Sequence, residues 1–225
     1  MRFAGFIIRI IKLFGGTFLF ALGLVFIMKA NMGYGPWELL HAGLAKVFRV
    51  FTLGQMTTIM SALVVLTDWL LKEKIGFGTL VNMFMMGTFM DIFLKWGFLP
   101  EPKNIAGSGA VLIAGFFIVS IGIWIYISSG FGAGPRDSLM VAVRRKTGIP
   151  IGVSRGIIET TAALLGWALG GPIGIGTLVA IVGQGFFIQF VFRIVRFEPT
   201  AVKHETFRDT VRTVEGLFRR SNDGL

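Results

Sequence analysis

Asn31-Met32-Gly33-Tyr34-Gly35-Pro36-Trp37-Glu38 is matched, 99 positions later, by Gly130-Phe131-Gly132-Ala133-Gly134-Pro135-Arg136-Asp137. Gly33, Gly35, Pro36 and Leu40 fall on Gly132, Gly134, Pro135 and Leu139, and upstream Phe18 and Gly23 fall on Phe117 and Gly122. After one gap the offset becomes 98. Gly54 then meets Gly152, Trp69 meets Trp167 and Gly87 meets Gly185. A second motif, Gly76-Phe77-Gly78-Thr79-Leu80, meets Gly174-Ile175-Gly176-Thr177-Leu178. Apolar residues coincide easily in an apolar chain, whereas glycine, proline and tryptophan at fixed offsets do so much less. The chain therefore reads as two related halves, residues 1–104 and 105–196, followed by a tail, residues 197–225.

The halves belong in a membrane. Of the 225 residues, 54% are hydrophobic and only 15% charged, with a mean hydropathy of +0.75, against about 25% charged in an ordinary soluble domain. A spanning helix needs roughly 20 apolar residues. Six segments are placed as spans: Leu13–Met28, Gln55–Leu71, Ile75–Trp96, Gly109–Ser128, Val153–Leu169 and Ile173–Ile194. The expected fold is an all-α polytopic membrane protein of six transmembrane helices, with short interfacial or re-entrant helices after the Gly-x-Gly-Pro corners. The first apolar stretch has no small-residue cleavage site before Lys29 and is read as a retained span, not a signal peptide. Three spans per half is an odd number, so the second half must be inserted upside down. Charge agrees: with the N-terminus in the cytoplasm, seventeen of the 22 Lys and Arg residues fall inside, as the positive-inside rule requires. Both termini are then cytoplasmic; the alternative, five spans with one weak segment lying in the interface, would put the tail outside and break the inverted symmetry.

The net charge of +10 sits mostly at the ends of apolar segments, which points to membrane orientation and anionic lipid. No nucleic-acid partner is expected. The chain has no cysteine and two distant histidines, so no metal or other cofactor is expected. No nucleophile elbow, HExxH or Walker loop is present, and no enzyme activity is expected.

The Gly-x-Gly-Pro corners, Gly33, Gly35, Pro36 and Gly132, Gly134, Pro135, are the most specific features. Proline suits the first position of a helix, and the helix start that follows carries free N–H groups and partial positive charge. Broken helices of this kind hold substrate near the midplane of inverted-repeat transporters. Equally, the pattern turns a chain tightly into a surface helix, and Glu38 and Asp137 in the first turns fit that simpler role while opposing an anionic ligand. Gly76, Gly78, Thr79 and Gly174, Gly176, Thr177 open the third and sixth spans. They suit close helix packing or an unwound segment lining a pathway.

Charged residues at membrane depth are costly. Glu159 lies in the fifth span, with Arg155 one turn earlier as a partner. Asp91 lies in the third span opposite Gln189 in the repeat. These two acids are the candidates for proton or ion coupling. Asp68 reaches Lys72 at i+4, and Asn82 and Gln184 add polarity. In the tail, Phe207, Val211, Val214 and Phe218 follow helical spacing among Arg208, Arg212, Arg219 and Arg220, a basic amphipathic pattern.

The corner Gly33–Glu38, its repeat Gly132–Asp137 and the two Gly-x-Gly-Thr-Leu motifs resemble the YczE/YyaS/YitT group of bacterial integral membrane proteins, nearest to its YczE branch, over about Leu13 to Arg196. The resemblance implies a bacterial inner-membrane location and a permease-like character. It carries no ligand residues. The expectation is a small secondary transporter whose substrate, a small molecule or ion, is not named by the sequence. The competing reading is a non-transporting accessory protein that binds a membrane partner or lipid. Homodimerisation suits so small a bundle, and no residue decides it.

Overall fold

The computed structural model describes residues 3–97, 99 and 101–222. These are helical, without a strand among them: α1 Phe3–Lys29, α2 Pro36–Val47, α3 Leu53–Leu70, α4 Phe77–Trp96, α5 Ile105–Ser128, α6 Pro135–Thr147, α7 Ile151–Ala168, α8 Ile175–Ile194, a 3-10 turn Pro199–Ala201, and α9 Phe207–Asn222.

Local chemistry sets the boundaries. Pro36 and Pro135 begin α2 and α6, where a missing N–H costs nothing. Thr52 caps α3 in a reciprocal arrangement with Gln55, a capping box. Asn104 caps α5 through Gly107 N–H at 2.7 Å. Gly97 and Gly148 end α4 and α6 in the left-handed region, the common glycine stop.

Five helices, within Ala4–Lys29, Leu53–Leu70, Phe77–Trp96, Ile105–Ser128 and Ile175–Ile194, are long and apolar enough to cross a membrane. The expected fifth span, α7, is 18 residues long but is not among them; Ser154, Arg155, Glu159, Thr160 and Thr161 dilute its apolar run. Other expectations need correction. The first helix starts ten residues before Leu13. The short helix α2 is no surface element: Pro36 through Gly43 are all buried. The third and sixth spans are not unwound at their glycines; Gly76 and Gly174 sit just outside α4 and α8, which begin at the next residue. Asp68 makes no ion pair with Lys72 among the described residues. Lys72 turns the chain at φ +61°, while the Asp68 carboxylate is buried without a hydrogen-bond partner.

The helices form two layers. One holds α1, α4, α5 and α8 around Val25, Met90, Phe93, Phe116, Val119 and Ala180. The other holds α2, α3, α6 and α7 around Trp37, Leu40, Val64 and Ala162. In the first layer α1 and α5 form the most extensive helix pair. They run antiparallel at close range: a Cβ on Gly122 would lie 2.9 Å from the Gly16 carbonyl, and one on Gly23 would lie 2.9 Å from the Gly115 carbonyl. Small residues at such a crossing bring backbones together, which is how helices gain packing energy in lipid. Gly16 and Gly115, like Gly23 and Gly122, occupy equivalent positions in the two halves.

Candidate functional site: crossed corners around a central cavity

Each glycine corner docks on the Thr-Leu motif of the other half. Gly176 N–H donates to the Met32 carbonyl at 2.6 Å, and Gly78 N–H donates to the Phe131 carbonyl at 2.8 Å. The Thr79 hydroxyl donates to the Ala133 carbonyl at 2.6 Å, and Tyr34 N–H donates to the Pro172 carbonyl at 3.1 Å. Gly33 and Gly132 adopt φ of +105° and +119°, which glycine alone takes readily. A Cβ on Gly33 would also press on Gly174 N and the Thr177 hydroxyl, and one on Gly132 on Gly76 and Thr79. The corner and Thr-Leu motifs, 40 or more residues apart within a half, are thus two sides of one joint made twice.

The joints set the starts of α2 and α6 against a cavity of about 360 Å³ between the layers, within the range of small-molecule sites. From one layer it is lined by Phe20, Leu24, Asn82, Met86, Ile123, Gln184 and Ile188. From the other come Pro36, Trp37, Glu38, Ser61, Pro135, Arg136, Asp137, Arg155 and Glu159. Equivalent positions of the two halves both line it: Pro36 and Pro135, Glu38 and Asp137, Ser61 and Glu159, Met86 and Gln184.

Two arginines organise its charge. Arg136 donates to the Glu38 carboxylate at 3.1 Å and lies 4.8 Å from the centroid of the Trp37 ring, a cation–π distance. Trp37 and Arg136 are themselves equivalent positions, so the halves are joined by the stacking of one repeat residue on its counterpart. Arg155 donates to Glu159 at 2.8 Å, the expected i+4 pair. Asp137 makes no ion pair within 4 Å among the described residues, which leaves two guanidinium groups facing three carboxylates. Behind the wall, buried His41 meets the Thr57 hydroxyl at 3.0 Å through Nδ1.

Of the sequence candidates, the structure gathers Pro36, Glu38, Gly134, Pro135, Asp137 and Glu159 at the cavity. Gly33, Gly132, Gly76, Gly78, Thr79, Gly174, Gly176 and Thr177 lie in the joints beside it, and Gly35 lies against the Glu38 carboxylate. Asp91 is elsewhere: its carboxylate accepts from Gly54 N–H at 2.9 Å and from the Thr52 hydroxyl, holding the start of α3 against α4. Sequence reasoning missed Arg136 and Ser61. The signal for Arg136 was its position, first after the proline and equivalent to Trp37.

The tail reaches the same region. Pro199 lines the cavity. Glu205 N–H donates to the Gly130 carbonyl at 2.9 Å, and Phe207 N–H donates to the Ile75 carbonyl at 3.1 Å. The Glu205 carboxylate pairs with Arg9 at 2.6 Å. Thr206 and Asp209 then cap α9 reciprocally, and the hydrogen bonds from Thr206 hold the Asp209 carboxyl below its usual range. The side chains of Phe218, Arg219 and Arg220 lie outside the described residues.

Helices of this length and apolarity, an interior charged cavity and duplicated helix corners define a multi-pass helical membrane protein. Residues 7–193 match the model of a family of unknown function, DUF6198, and the chain belongs to that family. It is similar to the uncharacterised membrane protein YczE of Bacillus subtilis, 34% identical over 179 residues that cover 79% of this chain and 82% of YczE. An uncharacterised protein of Haemophilus influenzae is 31% identical over 173 residues, 77% of this chain and 78% of its own length. The uncharacterised protein YyaS of Bacillus subtilis is 26% identical over 188 residues, 80% of this chain and 90% of YyaS. These relatives agree with the YczE-branch resemblance. No solved structure matches. The matched family region stops before the tail.

Proposed function

We propose that the chain is a small secondary transporter of the bacterial inner membrane. It is built as two inverted three-span repeats with both termini cytoplasmic, and its substrate site is the central cavity. The observation that carries this reading is the cavity itself: it lies between the halves and is lined by both helix-starting prolines, both acids that follow them, and the Arg155–Glu159 pair. A purely structural pair of corners has no need of a cavity of about 360 Å³ lined by five ionisable side chains, which are expensive at membrane depth. The antiparallel crossing of α1 with α5, equivalent helices of the two halves, supports the inversion. On this reading α7 is the fifth of six spans, with Arg155 and Glu159 turned to the cavity. Midplane sites between repeats, flanked by helix starts, are the plan of inverted-repeat carriers.

The corners position the walls, and Glu159 is the coupling group, with Arg155 as the cation it exchanges for a proton or substrate. The test is purified protein in liposomes and in detergent, screened against a panel of ions and metabolites. A ligand that raises the unfolding temperature and moves across the bilayer is expected, with both effects lost in Glu159→Gln. Failure of the whole panel to stabilise or move would refute the reading.

A second reading has its own observation. Phe207 and Val211 on α9 are exposed, beside basic residues, as in a helix that lies on a lipid surface or a membrane partner. The accessory reading rests on this tail. Truncation after Thr206, which removes α9 but keeps Pro199 at the cavity and the Glu205–Arg9 pair, separates the two, since partner or lipid capture then disappears while transport survives.

A further inference from the structure

The two halves differ at one place where the repeat makes them equivalent. In the first half α3 and α4 are closed on each other: a Cβ on Gly54 would overlap the Gly87 carbonyl, and one on Gly87 would overlap the Gly54 carbonyl. Asp91 clasps the joint by accepting from Gly54 N–H and the Thr52 hydroxyl. In the second half the counterparts are Gly152 on α7 and Gly185 on α8. A Cβ on either would meet nothing within 4 Å, and α7 touches α8 only sparsely. The clasp has no counterpart either, because Pro150 stands for Thr52 and Gln189 for Asp91. Gln189 instead lines a shallow groove with Phe117, Phe186 and Phe190. The parted helices are cavity walls: Arg155 and Glu159 belong to α7, Gln184 and Ile188 to α8.

We propose that the Gly54–Gly87 contact, clasped by Asp91, is the closed outer gate of this protein, and that Gly152 and Gly185 are the matching faces of an inner gate, open here. This rests on the transporter reading and its topology, which puts the start of α3 outside and the start of α7 in the cytoplasm. Transport then exchanges the two arrangements: α7 closes on α8 through the second glycine pair while α3 parts from α4. A carrier of two inverted repeats has two such states of nearly equal shape, each half adopting in one the packing its partner adopts in the other. Asp91 biases the exchange, since its hydrogen bonds exist only with the outer gate shut. A ligand or substitution shifts such an equilibrium by its differential effect on the two states.

The chain contains no cysteine, so introduced thiols report without background. The open space around both glycines lets Gly152→Cys and Gly185→Cys be made together without a clash. A disulfide needs Cα atoms about 4.4–6.8 Å apart, the approach that closure of α7 on α8 would bring. In native membranes under mild oxidant the double variant is expected to cross-link. Adding Asp91→Asn should speed this by about tenfold, as expected when hydrogen bonds to a charged acceptor are weakened. In parallel, Thr58→Cys, which faces Gly87 across the outer gate, should gain reactivity toward an external impermeant thiol reagent in the Asp91→Asn background. No cross-link with oxidant or with a short bifunctional thiol reagent would overturn the proposal, and so would a cross-link rate indifferent to Asp91. Flux that persists without any cross-link refutes the gate and leaves the transporter standing. A cross-link that responds to Asp91 in a protein that moves no member of the panel supports the gate and counts against the transporter.

Discussion

Arg136 joins the two halves at one point, between the Glu38 carboxylate and the Trp37 ring. Glu38 is only 3% exposed, and Arg136 is its ion-pair partner. Removing one member of a buried pair leaves an uncompensated charge and costs roughly 3–5 kcal/mol. Arg136→Ala should therefore lower thermal stability in detergent substantially. Arg136→Met combined with Glu38→Met should recover most of the loss, because the desolvation penalty leaves with the charges. Equal instability of single and double variants would show that the pair does not carry this weight. The Thr79 hydroxyl makes a smaller contribution: Thr79→Val forfeits its bond to Ala133, worth about 0.6 kcal/mol by membrane-protein cycles, and should shift the unfolding midpoint only slightly. Some of this chemistry was legible in the residues alone. Arg155 and Glu159 sit one helical turn apart, and helix periodicity is enough to pair them. The same reasoning paired Asp68 with Lys72 and failed, because the helix ends between them and Lys72 takes a left-handed turn.

At the scale of elements, the glycine motifs were readable as duplicated and as helix starts, but not as each other's partners. Periodicity speaks to the faces of one helix. The joint between Gly33 and Gly174, or between Gly132 and Gly76, brings together segments from opposite halves, and nothing local encodes that. Asp91 shows the same limit: its depth in an apolar helix suggested coupling, whereas its partner, the Gly54 N–H, belongs to a neighbouring helix start. The tail was readable as an amphipathic helix, not as a segment anchored beside the cavity through Glu205. Glu205→Ala removes the pair with Arg9. Trypsin cleavage at exposed Lys203 should then accelerate several-fold with the helical core intact, since segments held by few contacts open locally. An unchanged rate would mean that the backbone bonds to Gly130 and Ile75 hold the segment by themselves. Substituting leucine for Gly16 or Gly122 should do greater damage, because a side chain there enters the backbone of the facing helix in the α1–α5 crossing.

For the whole molecule, the decisive matter is whether the halves are inserted in opposite directions. Inversion places the cavity at a repeat interface, makes α7 the fifth of six spans despite its polar residues, and makes the open and closed glycine pairs two states of one device. The loops after α2 and after α6 report on it directly. Val50 is 88% exposed in the first and Lys146 is exposed in the last turn of α6, just before the second, so cysteine at either site is open to solvent in the cysteine-free chain. The measurement is labelling of Val50→Cys and Lys146→Cys with an impermeant thiol reagent, in intact right-side-out membranes and again after permeabilisation. Inverted halves require Val50→Cys to react at once from outside and Lys146→Cys to react only after permeabilisation. Reaction of both sites from the same side would mean that the halves are not inverted, and would contradict the account.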